Sequence, residues 1–497
     1  MNEYIDETDL DEPDTILTVD PNVLNVPIRS ERSLLITEPS ALDAVQQRKP
    51  LGKLLMSVGR AAITEWAPNE GQRANKRANQ VNEWVATPFQ GAAKEFAEHN
   101  ALPFEKRIGM KNDGNPWQRL INLWPQLNNG DVGPGPFRLL AVVNRMDLTG
   151  DVDERGIIDA AKQPRTMGEA RLIFGVVDRD HERNTGKPYP MVFIIEFRLP
   201  ALDANYNVVD NFDFRGNLFR DDIWRQQMER WGLLWRSLSA SDPGTAAYRT
   251  RLLQIVQRFA KAENFVALRA DIDLRSEGKR EFELREFYIL KNNAWDLIPR
   301  KPRDEAYKCG DGPDLITLVN YYWDAAKGDL KMDRVTPQNP RDVIGWNLPR
   351  TMDKAPMALG NTLAGCPKDG ARPIPFEMLG TDGDGGNRVT APFGRVKPDE
   401  LWRLPGAPED RRHQFAIRTC TGCHSSEAGM FGFHVEPRLA NRRSQLSTFL
   451  KGGAAFTHGG VTYRYDELAA RASWMDRASR HDPSMQLFES LYRHDAR

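Results

Sequence analysis

Thiols are scarce in this chain, with four cysteines among 497 residues. That scarcity excludes a disulfide-dense scaffold and makes the positions that do carry sulfur informative. Net charge is nearly absent too: 68 basic against 69 acidic residues leave −1 at pH 7. There is no global positive field to draw the protein to nucleic acid or anionic lipid, and no nucleic-acid partner is expected. No run of about 18 or more apolar residues occurs, so no transmembrane span is predicted. GxSxG, HExxH, P-loop and GxGxxG patterns are all missing, which removes the usual signatures of hydrolases, metalloproteases and nucleotide enzymes. Met1 to Asp14 lacks the basic and apolar regions of a secretion signal. It carries instead Glu3, Asp6, Glu7, Asp9, Asp11, Glu12 and Asp14, the composition of a solvated tail, a mature N-terminus or a tether.

What is present describes a folded protein. Hydrophobic residues make up 40% of the chain, with 12 Trp and 22 Phe, while 33 Pro and 38 Gly point to many loops. Single cores stop growing at about 250 to 300 residues, so two to four domains, or one large domain with an appended module, are expected. The composition divides into an acidic flexible tail (1–30), a large mixed helix and sheet domain (31–300), a Pro- and Gly-rich connecting region (301–397) and a small, mostly helical module (398–497). Strands are expected at Ser33–Thr37, Phe137–Val143, Ala170–Val177, Met191–Phe197, Phe265–Leu274 and Glu281–Leu290, bounded by turn residues such as Gly135-Pro136 and Pro200. Helical stripes recur at Trp117, Leu120, Ile121 and Trp124, at Trp224, Met228, Trp231 and Trp235, and at Tyr248, Leu252, Ile255 and Phe259. A helix is also expected over Ala41 to Gln47 and another near Leu315 to Ala326. Helices and strands come in separate runs, which favours a segregated α+β fold over repeated βαβ units.

The sharpest chemical signal is Cys420-Thr-Gly-Cys423-His424, a CxxCH motif. Two thiols at this spacing reach both vinyl groups on one haem edge, and the next imidazole then ligates the iron. Cys420, Cys423 and His424 are therefore the candidate haem c residues. The sixth ligand is sought first at His434, then at Met485 and Met475; Met430 lies too near for easy passage around the macrocycle. The same atoms allow two other readings. Cys420, Cys423, His424 or His434, completed by His413 or His458, would make a tetrahedral zinc shell, although adjacent Cys423 and His424 side chains diverge. A plain Cys420–Cys423 disulfide, structural or redox-active, needs no metal at all.

The remaining cysteines, Cys309 and Cys366, lie in loop-like sequence. A Cys309–Cys366 disulfide beside a haem pair would use every thiol and would favour an oxidising compartment. Two weaker constellations follow. Asp382, Asp384 and Asn387 echo a calcium loop without its closing Glu, which fits a Gly-rich turn better. Asn144, Arg145 and Asp147 follow one apolar strand, Glu169 and Arg171 begin the next, and Glu196 and Arg198 end a third. Such a cluster reads either as a substrate site with Glu169 or Asp147 as acid or base, or as an ion-pair network that orients the strands.

Several blocks resemble an uncharacterised family of extracytoplasmic proteins of Gram-negative bacteria that carry a C-terminal cytochrome-c-like CxxCH motif. They are Gly135 to Leu148 (GPFRLLAVVNRMDL), Gly168 to Phe174, Glu283 to Phe287, and His413 to His424 continuing through Phe433 to Arg438 and Leu446 to Leu450. The resemblance spans roughly Gly135 to Leu450. It implies export to the periplasm or beyond and a haem motif, and it brings no established reaction. The expectation is an extracytoplasmic c-type haem protein that transfers electrons to an unknown redox partner or acts on a small oxidant. The rival reading is a secreted binding or structural protein in which Cys420 and Cys423 form a disulfide or zinc clip.

Overall fold

The computed structural model describes residues 19–66, 85–86, 89–90, 93, 115–128, 132–147, 167–209, 221–276, 279–288, 318–324, 329–335, 350–351, 380–381, 387–388, 428, 432–458 and 460–483. Its strands are β1 (Leu35–Ile36), β2 (Phe137–Arg145), β3 (Glu169–Val176), β4 (Met191–Arg198), β5 (Phe265–Ser276), β6 (Lys279–Tyr288), β7 (Leu318–Asp324), β8 (Asp329–Val335) and β9 (Arg350–Thr351). Seven of them form one antiparallel sheet in the order β1-β2-β3-β4-β5-β6-β9, while β7 and β8 pair separately. The fold is mixed α+β, with consecutive strands β2 to β6 lying side by side.

The strands form where β-branched and aromatic residues concentrate, and β2, β3 and β4 are buried almost throughout. In β2 the register slips between Leu139, opposite Phe174, and Ala141, opposite Ile173. Leu140 is the extra residue of a bulge, and it packs over Gly175, where a Cβ would meet both its methyl carbons at 3.2 Å. Because side chains alternate with period two, one inserted residue transfers everything after it to the other side of the sheet. Phe137 and Leu139 share a face with Phe174, whereas Val143 and Arg145 oppose Arg171 and Glu169.

Helix α1 (Pro39–Arg48) starts on a proline and lies against β2. Its Gln46 carboxamide donates to Phe137 O and accepts from Leu139 N, each at 2.7 Å. These bonds replace a neighbouring strand where β1 pairs only with Val142 and Val143. Helix α2 is Leu51–Trp66, and α3 (Pro116–Leu123) is capped by Asn115, whose side-chain oxygen accepts from Trp117 N and Gln118 N. Trp117 and Trp124 join Phe89, Phe137 and Phe193 in one aromatic cluster on the apolar face, with centroids 5.0 to 6.3 Å apart. Burying each such ring stabilises the fold by roughly 1.5–3 kcal/mol. Asp178 caps α4 (Arg179–Thr185) and also takes a bidentate contact from Arg119.

Helix α5 (Asp221–Ser239) buries Trp224, Met228, Trp231 and Trp235, and α6 (Ala246–Phe259) buries Tyr248, Leu252, Ile255 and Phe259, as their spacing predicts. Helix α7 (Glu467–Ser479) packs against α5. Gly232 permits that approach, since a Cβ there would lie 3.0 Å from the Ser479 backbone. Arg236 of α5 joins three segments: it donates to Asp476 and Ser479 on one side and to Leu24 O and Val26 O on the other. The stretch after Gly432 is fastened to the bulge. Arg438 donates to Leu139 O at 2.9 Å, Ser444 Oγ donates to Leu140 O at 3.2 Å, and Arg138 donates back to Arg438 O at 2.5 Å.

Two elements differ from expectation. Leu318–Asp324, inside the stretch expected to be helical, is strand β7, paired with β8 from Leu318↔Val335 to Asp324↔Asp329. Val319, Tyr321, Tyr322 and Trp323 favour an extended chain, and their strand propensity outweighs the helical spacing of the flanking residues. Within the segment expected to hold short helices and loops, Ala454–His458 (β12) and Val461–Tyr465 (β13) form a hairpin, with Tyr463 and Tyr465 buried. Short strands β10 (Gly380–Thr381) and β11 (Asn387–Arg388) also pair across the Gly-rich stretch. None of the described helices is long and apolar enough to cross a membrane.

Replacing Gln46 with Ala would leave Leu139 N–H and Phe137 C=O without their partner at a buried strand edge. A loss of about 1–3 kcal/mol is expected, read as a lower urea midpoint with an unchanged slope.

Candidate functional site: the charged face of the sheet

Opposed residues of an antiparallel pair share a face, and the register places a row of charges on the side of the sheet away from the aromatic cluster. Arg145 opposes Glu169, which opposes Arg198; Arg171 opposes Glu196. On β5, Arg269 opposes Ile194 and Asp271 opposes Val192, so both share the face of Glu196, as does Asp273. These acids are almost wholly enclosed: Glu169, Glu196, Asp271 and Asp273 expose 5, 1, 4 and 2% of their surface.

Burying so many charges is tolerable only because most are paired. Arg145 grips Asp147 through Nε at 3.0 Å and a terminal nitrogen at 2.8 Å. Arg171 reaches Glu169 at 2.9 Å and Glu196 at 3.0 Å, and Arg269 Nε lies 3.4 Å from Glu196. From α7, Arg471 adds a buried guanidinium tied to Glu467 at 2.9 Å. Burial opposes ionisation of Asp147, but Arg145, with Arg471 and Arg171 further away, outweighs it and holds the carboxyl below its usual range. Burial also lowers Arg471, reinforced by Arg145 and opposed by Glu467 and Asp147.

Asp147 and Glu169, the expected acid or base, are thus brought to neighbouring strand ends, each in the grip of its own arginine. An Asp147 held ionised this way serves poorly as a proton donor near neutral pH, and its geometry is that of an ion-pair network that orients the strands. Asp271 is different. Its Oδ1 is buried without a hydrogen-bond partner. Burial pushes its carboxyl up to about 7, opposed by Arg269 and Arg171 and assisted by the Glu196 carboxylate. Sequence reading passes over Asp271 because it sits inside a strand, two residues from Arg269 and Asp273; only the pairing with β4 shows that it joins Glu196. Arg471 and Glu467, on a helix far along the chain, left no signal that they would join this face.

The C-terminal segment borders the same face. A Cβ at Gly432 would lie 3.3 Å from Asp273 Oδ2 and 4.0 Å from Glu436 Oε1, so the backbone passes close over the carboxylate. His434 follows; its Nδ1 lies 3.0 Å from Ser447 Oγ and its ring 5.1 Å from that of Phe449. Met475 is buried in the core, where its sulfur accepts from Asn144 Nδ2 at 3.3 Å. Cys420, Cys423, His424, Cys309, Cys366, His413, Met430, Met485, Asp382 and Asp384 lie outside the described residues, as do the side chains of His458 and Asn387. Among the described residues, no group of three or more His, Cys, Asp or Glu is arranged to hold a metal ion.

No family model matches this chain, and comparison with curated proteins and with solved structures finds none that is similar.

Arg171 separates two buried carboxylates, so Arg171→Met should leave Glu169 and Glu196 without the guanidinium they share, with only Arg269 remaining beside Glu196. The expected cost is about 3–5 kcal/mol in chemical denaturation, against under about 1 kcal/mol for an exposed pair such as Arg480 with Asp476.

Proposed function

We propose that this chain is an extracytoplasmic c-type haem protein that transfers electrons or acts on a small oxidant. The observation that carries the reading is the Cys420-x-x-Cys423-His424 spacing. Each thiol would add across one haem vinyl group, forming an S–C bond while the thiol hydrogen ends on the neighbouring carbon, and His424 would ligate the iron from one side. The haem supplies the redox chemistry; the protein supplies position, axial ligands and surroundings.

The proposed haem-bearing module is 398–497, of which the β12–β13 hairpin and α7 form part. Three features of this region support the reading. Met475 is engaged by Asn144 in the core, which leaves His434 and Met485 as the sixth-ligand candidates. The Ser447 hydroxyl at His434 Nδ1 orients the ring in the way that partners of metal-ligating histidines do. Ala428, four positions after His424, is fully buried, so the chain limits His424 to within about 14 Å of a fixed point. The proposed compartment is the periplasm or the exterior, where a Cys309–Cys366 disulfide would also persist.

The test is an absorption spectrum and intact mass of protein exported by a host with haem-attachment machinery, beside a Cys420→Ala/Cys423→Ala control. A Soret band with a haem-sized mass increment that vanishes in the control is the expected result. A colourless product carrying stoichiometric zinc, or lighter by two protons at a Cys420–Cys423 disulfide, would overturn it in favour of a secreted binding or structural protein. If His434 is the sixth ligand, His434→Ala converts a low-spin spectrum to a high-spin one.

A further inference from the structure

The charged face holds a carboxylate with one buried oxygen that no described donor meets, and the chain closing over the face comes from far along the sequence. Asp271 is only 4% exposed, and its Oδ1 is buried without a hydrogen-bond partner among the described residues. From β4, Val192 is its register partner, with Glu196 and then Arg198 further along the same face; β3 adds Arg171 with Glu169, and its own strand Arg269 and Asp273. From β6, Leu284 is its register partner and Glu286 that of Arg269. From the C-terminal segment, Glu436 stands beside Gly432, over Asp273.

We propose that Asp271 is a proton-binding site, and that its protonation seats the 432–436 segment on the charged face. With the proton bound, the carboxyl is neutral and Arg171 and Arg269 are balanced by Glu169 and Glu196. When the proton leaves, a second negative charge appears on β5 beside Asp273, in a site almost wholly buried from solvent. Asp273 and Glu436 flank Gly432, so the added repulsion falls where the segment crosses the sheet. A larger ligand is not required: the site is closed, and a proton is the one species that reaches a buried carboxyl by local fluctuation alone.

The sign is fixed by linkage. In the unfolded chain Asp271 ionises in the ordinary carboxylate range, whereas in the folded protein it retains its proton up to about pH 7. Stability contributed by the bound proton is therefore complete in acid, falls as pH rises towards 7, and is lost above it. This direction is opposite to that of Asp147, whose lowered value protects the fold from mid-acid pH upwards. The inference does not depend on haem, since its readouts are independent of colour. If the haem reading holds as well, the 432–436 segment begins eight residues beyond His424, so proton release would loosen the tether of the cofactor.

The experiment uses the full chain. Infrared titration should show a protonated carboxyl signal that disappears with a midpoint near pH 7 and is missing in Asp271→Asn. Amide exchange protection at Glu436 and Ser447, whose N–H groups donate to Gln445 O and His434 O, should fall with the same midpoint in the native protein and stay flat in Asp271→Asn. Glu196→Gln removes the neighbouring carboxylate and should move both midpoints to lower pH by about one unit. His481→Gln, which removes an imidazole paired with Glu229 at 2.9 Å, should change neither. The proposal fails if the transition persists unchanged in Asp271→Asn, or if no carboxyl titrates above the ordinary range. Should Asp271→Asn not fold, an unshifted midpoint in Glu196→Gln overturns it equally.

Discussion

Leu140 has no partner across from it on β3, and much of the molecule follows from that single insertion. Ahead of it, Phe137 and Leu139 point with Phe174 towards the aromatic cluster; beyond it, Val143 and Arg145 turn to the other side and meet Arg171 and Glu169. Without the extra residue, Arg145 would enter the apolar layer, where no carboxylate waits, at a cost of several kcal/mol. Asn144 would leave the position in which it donates to Met475 and to Ser33 O. The bulge is held from two sides by groups distant in sequence. Gln46 fixes the strand before it, and Arg438 and Ser444 bind the carbonyls of Leu139 and Leu140.

Once the alternation is set, the charged face has to be self-consistent. Planar guanidiniums suit this task better than ammonium groups, because one Arg171 serves two carboxylates in a fixed fork. The described cations that β2 to β5 and α7 bring to this face include Arg138, Arg145, Arg171, Arg198, Arg269 and Arg471, all arginines. Asp271 is the exception in a network otherwise closed on itself. Burial pushes its carboxyl up, which is how one buried face can accommodate more carboxyl groups than it keeps ionised.

The regular elements were readable in the sequence because burial leaves a periodic trace. The strands at 137–145, 169–176 and 191–198 and the stripes of Trp224 to Trp235 and Tyr248 to Phe259 lie where spacing places them. The charged residues at the ends of β2, β3 and β4 were also visible as a cluster. Three things were not. A bulge leaves no mark in an unbroken apolar run such as Leu139-Leu140-Ala141. Asp271 becomes singular only through its neighbours across the sheet, which are some 75 positions earlier in the chain. The helix expected near Leu315 to Ala326 is strand β7 because Tyr321, Tyr322 and Trp323 satisfy both periods, and local spacing alone does not arbitrate between them.

The C-terminal part of the chain does two jobs with one set of contacts. Arg438 and Ser444 complete the outer edge of β2, while Gly432, a few residues before them, crosses the charged face at Asp273. Both ends of this short stretch are therefore set by the sheet, one by backbone carbonyls and the other by a carboxylate. The edge of β2 is completed by contacts 299 to 304 positions apart in sequence, the kind of non-local closure that slows folding. Charge on one side of the sheet and hydrogen bonding at its edge are in this way parts of one mechanical unit.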